Sequence, residues 1–494
     1  MSSTRRVGGK FMREHLNGLV RDPFCSFAIA VPIFILSWFY CDLPLVATGD
    51  GYAAYFPVVW GLQDGQGLSS FLSLEYGFVR PPGYALCLFF ATFLTGDLAA
   101  GVALVTVTSA LIGLLAYRQI LLRLGFSKGS AALAIVSLCV SEAFLHAMTA
   151  SVPDPPYFAV VMLAVLLGMR PGSALICATI GFLAAAGLFL RANGLYLLPI
   201  CLLPFLGSFR HLAAYACGAL LPLLAWSYTS LEVKDVAFWL PSGPTGFDIQ
   251  AYHPEVVAGA SDLLDAFARE PLRTLGRLVV RAFITGPWDL ALGAWWPVGL
   301  LSLAALPAAL RRRDRTALFV WLIVVAGWLV LVPVHYEPRY YIIQASALSA
   351  GAAFTVGSVV QQPRARRFAI LAAPLLILSV LISRYPSAQR RWDFMSKAGI
   401  VIAEVHRIAD FISSFPPGCV GTEMVAYRNT PLRFVFRQRR MEHRLCCCGI
   451  DDDSVGFVQL ARFPLLDPAR PVAGFVLMEA PSDQAFLQLF RRSE

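Results

Sequence analysis

A chain of 494 residues that is 57% hydrophobic and only 14% charged, with a mean hydropathy of +0.64, carries more apolar surface than a water-soluble fold of this length can hide. Its formal charge of +9 and pI near 9.1 do not mark a nucleic-acid binder, because the basic residues fall in short clusters between apolar runs and not along one face. The eleven cysteines show no CxxC pair and no Cys/His ligand spacing, and Cys25, Cys87, Cys139, Cys177, Cys201 and Cys217 lie within apolar runs, as small core or lipid-facing residues do.

A spanning helix needs roughly 20 apolar residues, and short loops rich in Lys and Arg stay on the cytoplasmic side. Arg5, Arg6, Lys10, Arg13 and Arg21 therefore hold the N-terminal segment inside. Phe24 to Cys41 is a first span, retained because no small-residue cleavage site follows it. It delivers an outer loop, 42–80. The next apolar piece, Pro82 to Gly96, is short for a crossing, and a crossing there would put Arg118, Arg123 and Lys128 outside. It is expected to be an interfacial or re-entrant helix.

Spans two to seven follow as Leu98 to Leu122, Ala131 to Met148, Pro156 to Met169, Gly172 to Leu190, Gly194 to Leu206 and Leu212 to Leu231, with interruptions at Pro171 and at Asn193-Gly194. A second outer loop, 232–287, precedes Trp288 to Leu310, which returns to the basic run Arg311, Arg312, Arg313 and Arg315, the strongest inside marker in the chain. Ala317 to Val334, Tyr341 to Val360 and Phe368 to Ser383 complete the set. The expected architecture over 1–383 is an all-α polytopic membrane domain of about eleven transmembrane helices plus interfacial helices.

After Arg384 the apolar runs shrink and charge density rises, so 384–494 is expected to be a small α/β domain on the outer side. Ile400 to Phe415 reads as an amphipathic helix, and Cys419 to Val425, Leu432 to Phe436 and Val472 to Met478 read as strands. In an oxidising compartment, Cys419 is a candidate to bridge one of Cys446, Cys447 and Cys448. Only four of the 40 basic residues are lysine, a bias of GC-rich bacterial genomes.

This topology gathers Asp50, Asp64, Glu75, Arg80, Asp154, Arg191, Glu337 and Arg339 at one face of the membrane, where ionisable groups are candidates for function. Five of them have a structural alternative. Asp50, in Thr48-Gly49-Asp50-Gly51-Tyr52, and Asp154, in Pro153-Asp154-Pro155-Pro156, suit helix caps. Arg80, Arg191 and Arg339 suit interfacial anchors. In the functional reading, the planar fork of Arg339 holds a phosphate and the surrounding tyrosines line a sugar site.

Taken in order, these pieces resemble the GT-C superfamily of membrane glycosyltransferases, particularly the branch of the lipid A aminoarabinose transferase and the protein O-mannosyltransferases. The resemblance rests on Asp50, on Arg80-Pro81-Pro82-Gly83-Tyr84 with Gly61, Gly65 and Gly67 before it, and on Asp154-Pro155. Arg191-Ala192-Asn193-Gly194 and Arg339-Tyr340 complete it, and it covers about residues 20 to 360. Two positions depart from the pattern: the usual acidic pair is Asp50-Gly51, and the usual Lys before Pro-Pro is Arg80.

The resemblance implies inverting transfer of a sugar from a polyprenyl-phosphate donor to a lipid, glycan or protein acceptor at the outer face of a bacterial inner membrane. It implies Asp50 as general base, with Asp154 positioning the acceptor or orienting Asp50. Arg80, Arg191 and Arg339 hold the donor phosphate, and Tyr52, Tyr55, Tyr84, Glu337 and Tyr340 line the pocket. No metal ligand set is assigned and no cofactor is certain, a divalent cation remaining possible. Many spans and cations on one face also suit a transporter or flippase of lipid-linked sugars, and a membrane scaffold that presents its outer domain is a third class. Against transport stand the lack of polar residues at span midpoints and of an internal repeat.

Overall fold

The computed structural model describes residues 55–65, 81–149, 151–169, 172–234, 267–293, 298–302, 315–332 and 338–360, together with the strand segments 419–422, 444–446, 455–461, 475–479 and 487–492. The chain divides into two compact units, one of Met1–Phe39 and Val58–Val380, the other of Tyr40–Pro57 and Leu381–Glu494.

Helix α1 spans Phe56–Gln63 and α2 spans Gly83–Thr95. Pro81-Pro82 delimits the start of α2, and Gly96 ends it in the left-handed conformation, with a φ of 75° that a side chain would resist. Asp97 then caps α3 (Leu98–Arg123) by accepting from the Ala100 N–H at 2.8 Å. The large apolar side chains of α2 that face outward, Phe90, Phe93 and Leu94, suit a helix laid against lipid.

The run expected as one span, Ala131 to Met148, is two helices, α4 (Lys128–Cys139) and α5 (Glu142–Thr149), bent by 64°. Ser141 explains the break. Its buried hydroxyl donates to the Leu138 carbonyl at 2.6 Å and accepts from the Phe144 N–H at 3.2 Å, so one side chain closes one helix and caps the next. A break inside apolar surroundings is tolerated only when its backbone groups are satisfied in this way.

Helices α6 (Asp154–Gly168) and α7 (Ala174–Leu190) follow, then a 3-10 turn (Ala192–Tyr196), the short α8 (Leu197–Leu202) and a further 3-10 turn (Leu203–Phe205). The expected sixth span is therefore segmented. Helix α9 (Phe209–Lys234) packs along α7 at Gly181 and Gly218. A Cβ on Gly181 would meet the Tyr215 carbonyl, and one on Gly218 would meet the Ala178 carbonyl, so the two backbones touch as small-residue helix pairs in membranes do.

Beyond these lie α10 (Pro271–Val280), a π-helical turn (Arg281–Thr285), α11 (Gly286–Gly293), α12 (Arg315–Leu331), a 3-10 turn (Pro338–Tyr341) and α13 (Ile342–Val360). The expected second loop thus carries a helix, and the expected eighth span falls partly outside the described residues. Among the described residues, two helices are long and apolar enough to cross a membrane, Leu98–Arg123 and Arg339–Val359. The bent pair counts as a third if it is one span, and Gly83–Thr95, Asp154–Gly168, Ala174–Leu190, Asn193–Phe205, Phe209–Leu224 and Ala317–Leu331 are shorter apolar helices. Spans one and eleven lie outside the described residues.

The second unit holds a five-stranded sheet, β1 (Cys419–Thr422), β2 (Arg444–Cys446), β3 (Val455–Ala461), β4 (Phe475–Glu479) and β5 (Leu487–Arg492), in the order β2-β1-β3-β5-β4. β1 runs parallel to β2 and β3, and β5 runs antiparallel to β3 and β4. The strands expected at Cys419 and before Met478 are present. The helix at 400–415 and the strand at 432–436 lie outside the described residues. Cys419 pairs with Arg444 and Gly421 with Cys446, which puts the Cα atoms of Cys419 and Cys446 about 8 Å apart on neighbouring strands. That is too far for a direct disulfide, so the register opposes the Cys419–Cys446 pairing.

Candidate functional site

Helices α6 and α7 run in opposite directions side by side, so the first turn of α6 meets the last turn of α7. Asp154 stands in that first turn. The cap residue is Pro153, which offers no side-chain bond, and the Asp154 carboxylate turns instead to Arg191, the residue that ends α7. Arg191 Nη1 donates to Asp154 Oδ1. The carboxylate sits at a helix N-terminus and the guanidinium at a helix C-terminus, so each charge also opposes the partial charge of its own helix end. Asp154 is 1% exposed and the Arg191 side chain 13%, which makes this a desolvated pair and not a surface one.

The other face of Arg191 rests on an aromatic ring, its guanidinium carbon 4.2 Å from the centroid of Tyr340. Arg339 belongs to the same 3-10 turn as Tyr340, is itself only 6% exposed, and has its guanidinium carbon 5.3 Å from the same centroid. One ring thus carries two cations, each attracted by the π face. The described side chains of this cluster are two guanidinium groups, one carboxylate and one phenol. Arginine forks match the oxygens of a phosphate, and this arrangement offers two of them from different elements.

Two acceptors in this region have no hydrogen-bond partner among the described residues: Asp154 Oδ2 and the side-chain oxygen of Asn193, two residues past Arg191. A buried acceptor left unmade costs about 1 to 3 kcal/mol, so the two are candidates to accept a hydroxyl or N–H. The start of α2 reaches the same end of the bundle. A Cβ on Gly83 would lie 2.7 Å from the Phe189 carbonyl oxygen, two residues before Arg191, so only glycine lets the segment after Pro81-Pro82 approach this closely. Tyr84, the next residue, is fully buried.

Of the residues singled out in the sequence, the structure brings together Asp154, Arg191, Arg339 and Tyr340, with Tyr84 on the adjoining helix. Tyr55 is buried and belongs to the other unit. Asp50, Tyr52, Arg80 and Glu337 lie outside the described residues. No group of three or more His, Cys, Asp and Glu side chains that could hold a metal ion occurs among the described residues.

Sequence reasoning overlooked a second tie between the same two helix ends. The Tyr157 hydroxyl donates to that of Tyr196 at 3.2 Å, both buried. Tyr157 lies one turn after Asp154 and Tyr196 closes the 3-10 turn after Arg191, so this bond holds the backbone that carries the ion pair. The i, i+3 spacing of Asp154 and Tyr157 was the available signal.

No family model and no curated protein matches this chain. Its fold is nevertheless similar to that of solved GT-C glycosyltransferases. ArnT from Cupriavidus metallidurans, in the structure bound to undecaprenyl phosphate, superposes with a TM-score of 0.58 at 14% identity, over 94% of this chain and 97% of that one. The oligosaccharyltransferase of Archaeoglobus fulgidus, in its complex with Zn and sulfate, superposes with a TM-score of 0.53 at 11% identity, over 88% of this chain and 68% of that one. At these identities the likeness is one of fold.

Proposed function

We propose that this protein is a glycosyltransferase that moves a sugar from a polyprenyl-phosphate donor to an acceptor at the outer face of a bacterial inner membrane, with inversion at the anomeric carbon. The observation that carries the reading is the pair of guanidinium groups on the Tyr340 ring, one of them anchored by Asp154. Two like charges on one ring repel, and an anion shared between them turns that repulsion into binding. The similarly folded ArnT was solved with undecaprenyl phosphate, which supports a prenyl phosphate as that anion.

In the reaction the bond between the anomeric carbon and the phosphate oxygen breaks, and polyprenyl phosphate departs with the bonding electrons. The acceptor oxygen attacks from the opposite face and gives its proton to Asp50, the general base. Arg191 and Arg339 stabilise the charge that develops on the leaving phosphate. Arg80, the cation before Pro81-Pro82, is assigned to the same phosphate. Asp154 keeps Arg191 oriented, and its second oxygen takes an acceptor hydroxyl. Tyr84 and Glu337 are assigned to the pocket with Tyr340.

The test is transfer of labelled sugar from a synthetic prenyl-phosphate donor by the full chain in lipid nanodiscs. Activity that disappears in Arg191→Ala and Arg339→Ala, with weaker donor binding in both, is expected. Movement of intact donor across vesicles without sugar transfer would overturn the reading in favour of a flippase.

A further inference from the structure

Helix α10 divides into three faces. Thr274 is buried and Leu278 half-buried, so the face they share, one turn apart, rests on the protein. Leu272, Leu275 and Val279, at i, i+3 and i+7, form a second face that is apolar yet open, with Leu272 84% exposed. Beyond the helix the open apolar surface continues through Phe283, 75% exposed, Ile284 and Trp288. Arg273 and Arg277, at i and i+4, form the third face. Both are exposed, and the pair that Arg273 makes with Glu270 at 3.0 Å lies at the surface, where an ion pair is weak and exchanges readily.

Solvent tolerates such a helix poorly, because it leaves large apolar side chains in water beside unscreened cations. A bilayer boundary satisfies both faces at once. We infer that α10 lies in the membrane interface, with Leu272, Leu275, Val279 and Phe283 among the acyl chains and with Arg273 and Arg277 on the phosphates of anionic phospholipid headgroups. The charge is complementary, the apolar face is continuous, and Trp288 supplies an aromatic of the kind that settles at headgroup depth. This assigns Arg273 and Arg277 to lipid headgroups, not to the donor, and it stands whether or not the chain transfers a sugar.

The experiment uses the full chain in nanodiscs of phosphatidylethanolamine and phosphatidylglycerol. A spin-labelled residue is placed singly at Leu272, Leu275, Arg273 and Arg277, and collision with oxygen is compared with collision with a water-soluble nickel chelate. The labels at Leu272 and Leu275 should favour oxygen, and those at Arg273 and Arg277 should favour the chelate. Phosphatidylglycerol should also be enriched over phosphatidylethanolamine in the lipid that stays bound to the protein, and the Arg273→Gln/Arg277→Gln variant should lose that enrichment while keeping its Tm. Chelate-accessible labels on both faces would put α10 in water and overturn the inference. Shielding of Leu272 and Leu275 from both quenchers would mean a protein partner, with the same consequence. Unchanged lipid enrichment with weakened prenyl-phosphate binding in the double variant would assign the arginines to the donor instead.

Discussion

A base and a phosphate clamp fail in different ways when they are removed. Asp50→Asn keeps the shape and most hydrogen bonds of the side chain, so loss of a general base should lower turnover by about 100-fold or more while donor binding persists. A helix cap would hardly notice the change, since Asn caps about as well as Asp. Near-normal turnover would therefore hand the role of base to Asp154 or Glu337. Arg339→Ala should instead weaken donor binding by about 1.5 to 3 kcal/mol, the worth of a charge-assisted hydrogen bond, as a titration with prenyl phosphate would read directly. The ion pair itself was half legible. Asp154 and Arg191 were each visible as unusual charges beside apolar runs, but nothing in a separation of 37 residues says that one holds the other.

Among the helices, contact decides what composition leaves open. Gly181 and Gly276 are both helical glycines, yet a side chain at Gly181 would run into the α9 backbone whereas one at Gly276 would meet nothing within 4 Å. Gly181→Leu should thus lower the Tm markedly, overpacking costing about 1 to 3 kcal/mol and more where backbone cannot give way. Gly276→Leu should leave the Tm level or raise it, since leucine is the better helix former. Equal Tm losses in the two variants would contradict the close α7–α9 approach. The bend at Ser141 belongs to the same scale. Apolar periodicity runs straight through 131–148, and only the serine hydroxyl, satisfying both helix ends, divides it.

For the whole chain, the charge pattern makes a topological commitment. Labels at Asp50, Asp154, Glu337 and positions after Arg384 should react with an impermeant reagent from one side of the membrane, and labels at Arg312 and Arg366 from the other. Reaction of Asp50 and Arg312 from the same side would end the eleven-span arrangement. The fold similarity to GT-C enzymes extends over nearly the full chain even though identity is 14%, which fits a fold set by hydrophobic lengths and a few polar positions.

The amino-acid sequence by itself pointed to a helical membrane protein and to a resemblance to the GT-C superfamily, because span length, loop charge and the order of Asp, Arg-Pro-Pro, Asp-Pro and Arg-Tyr motifs are all local properties of the chain. It also announced the strands around Cys419 and before Met478, where apolar runs shorten. Only the tertiary structure decided that Arg191 and Arg339 share the ring of Tyr340, that Asp154 answers Arg191 instead of capping its helix, and that Tyr157 meets Tyr196. Those partners come from separate helices, and which helix ends meet is settled by where glycines let backbones touch, a choice that depends on both surfaces at once.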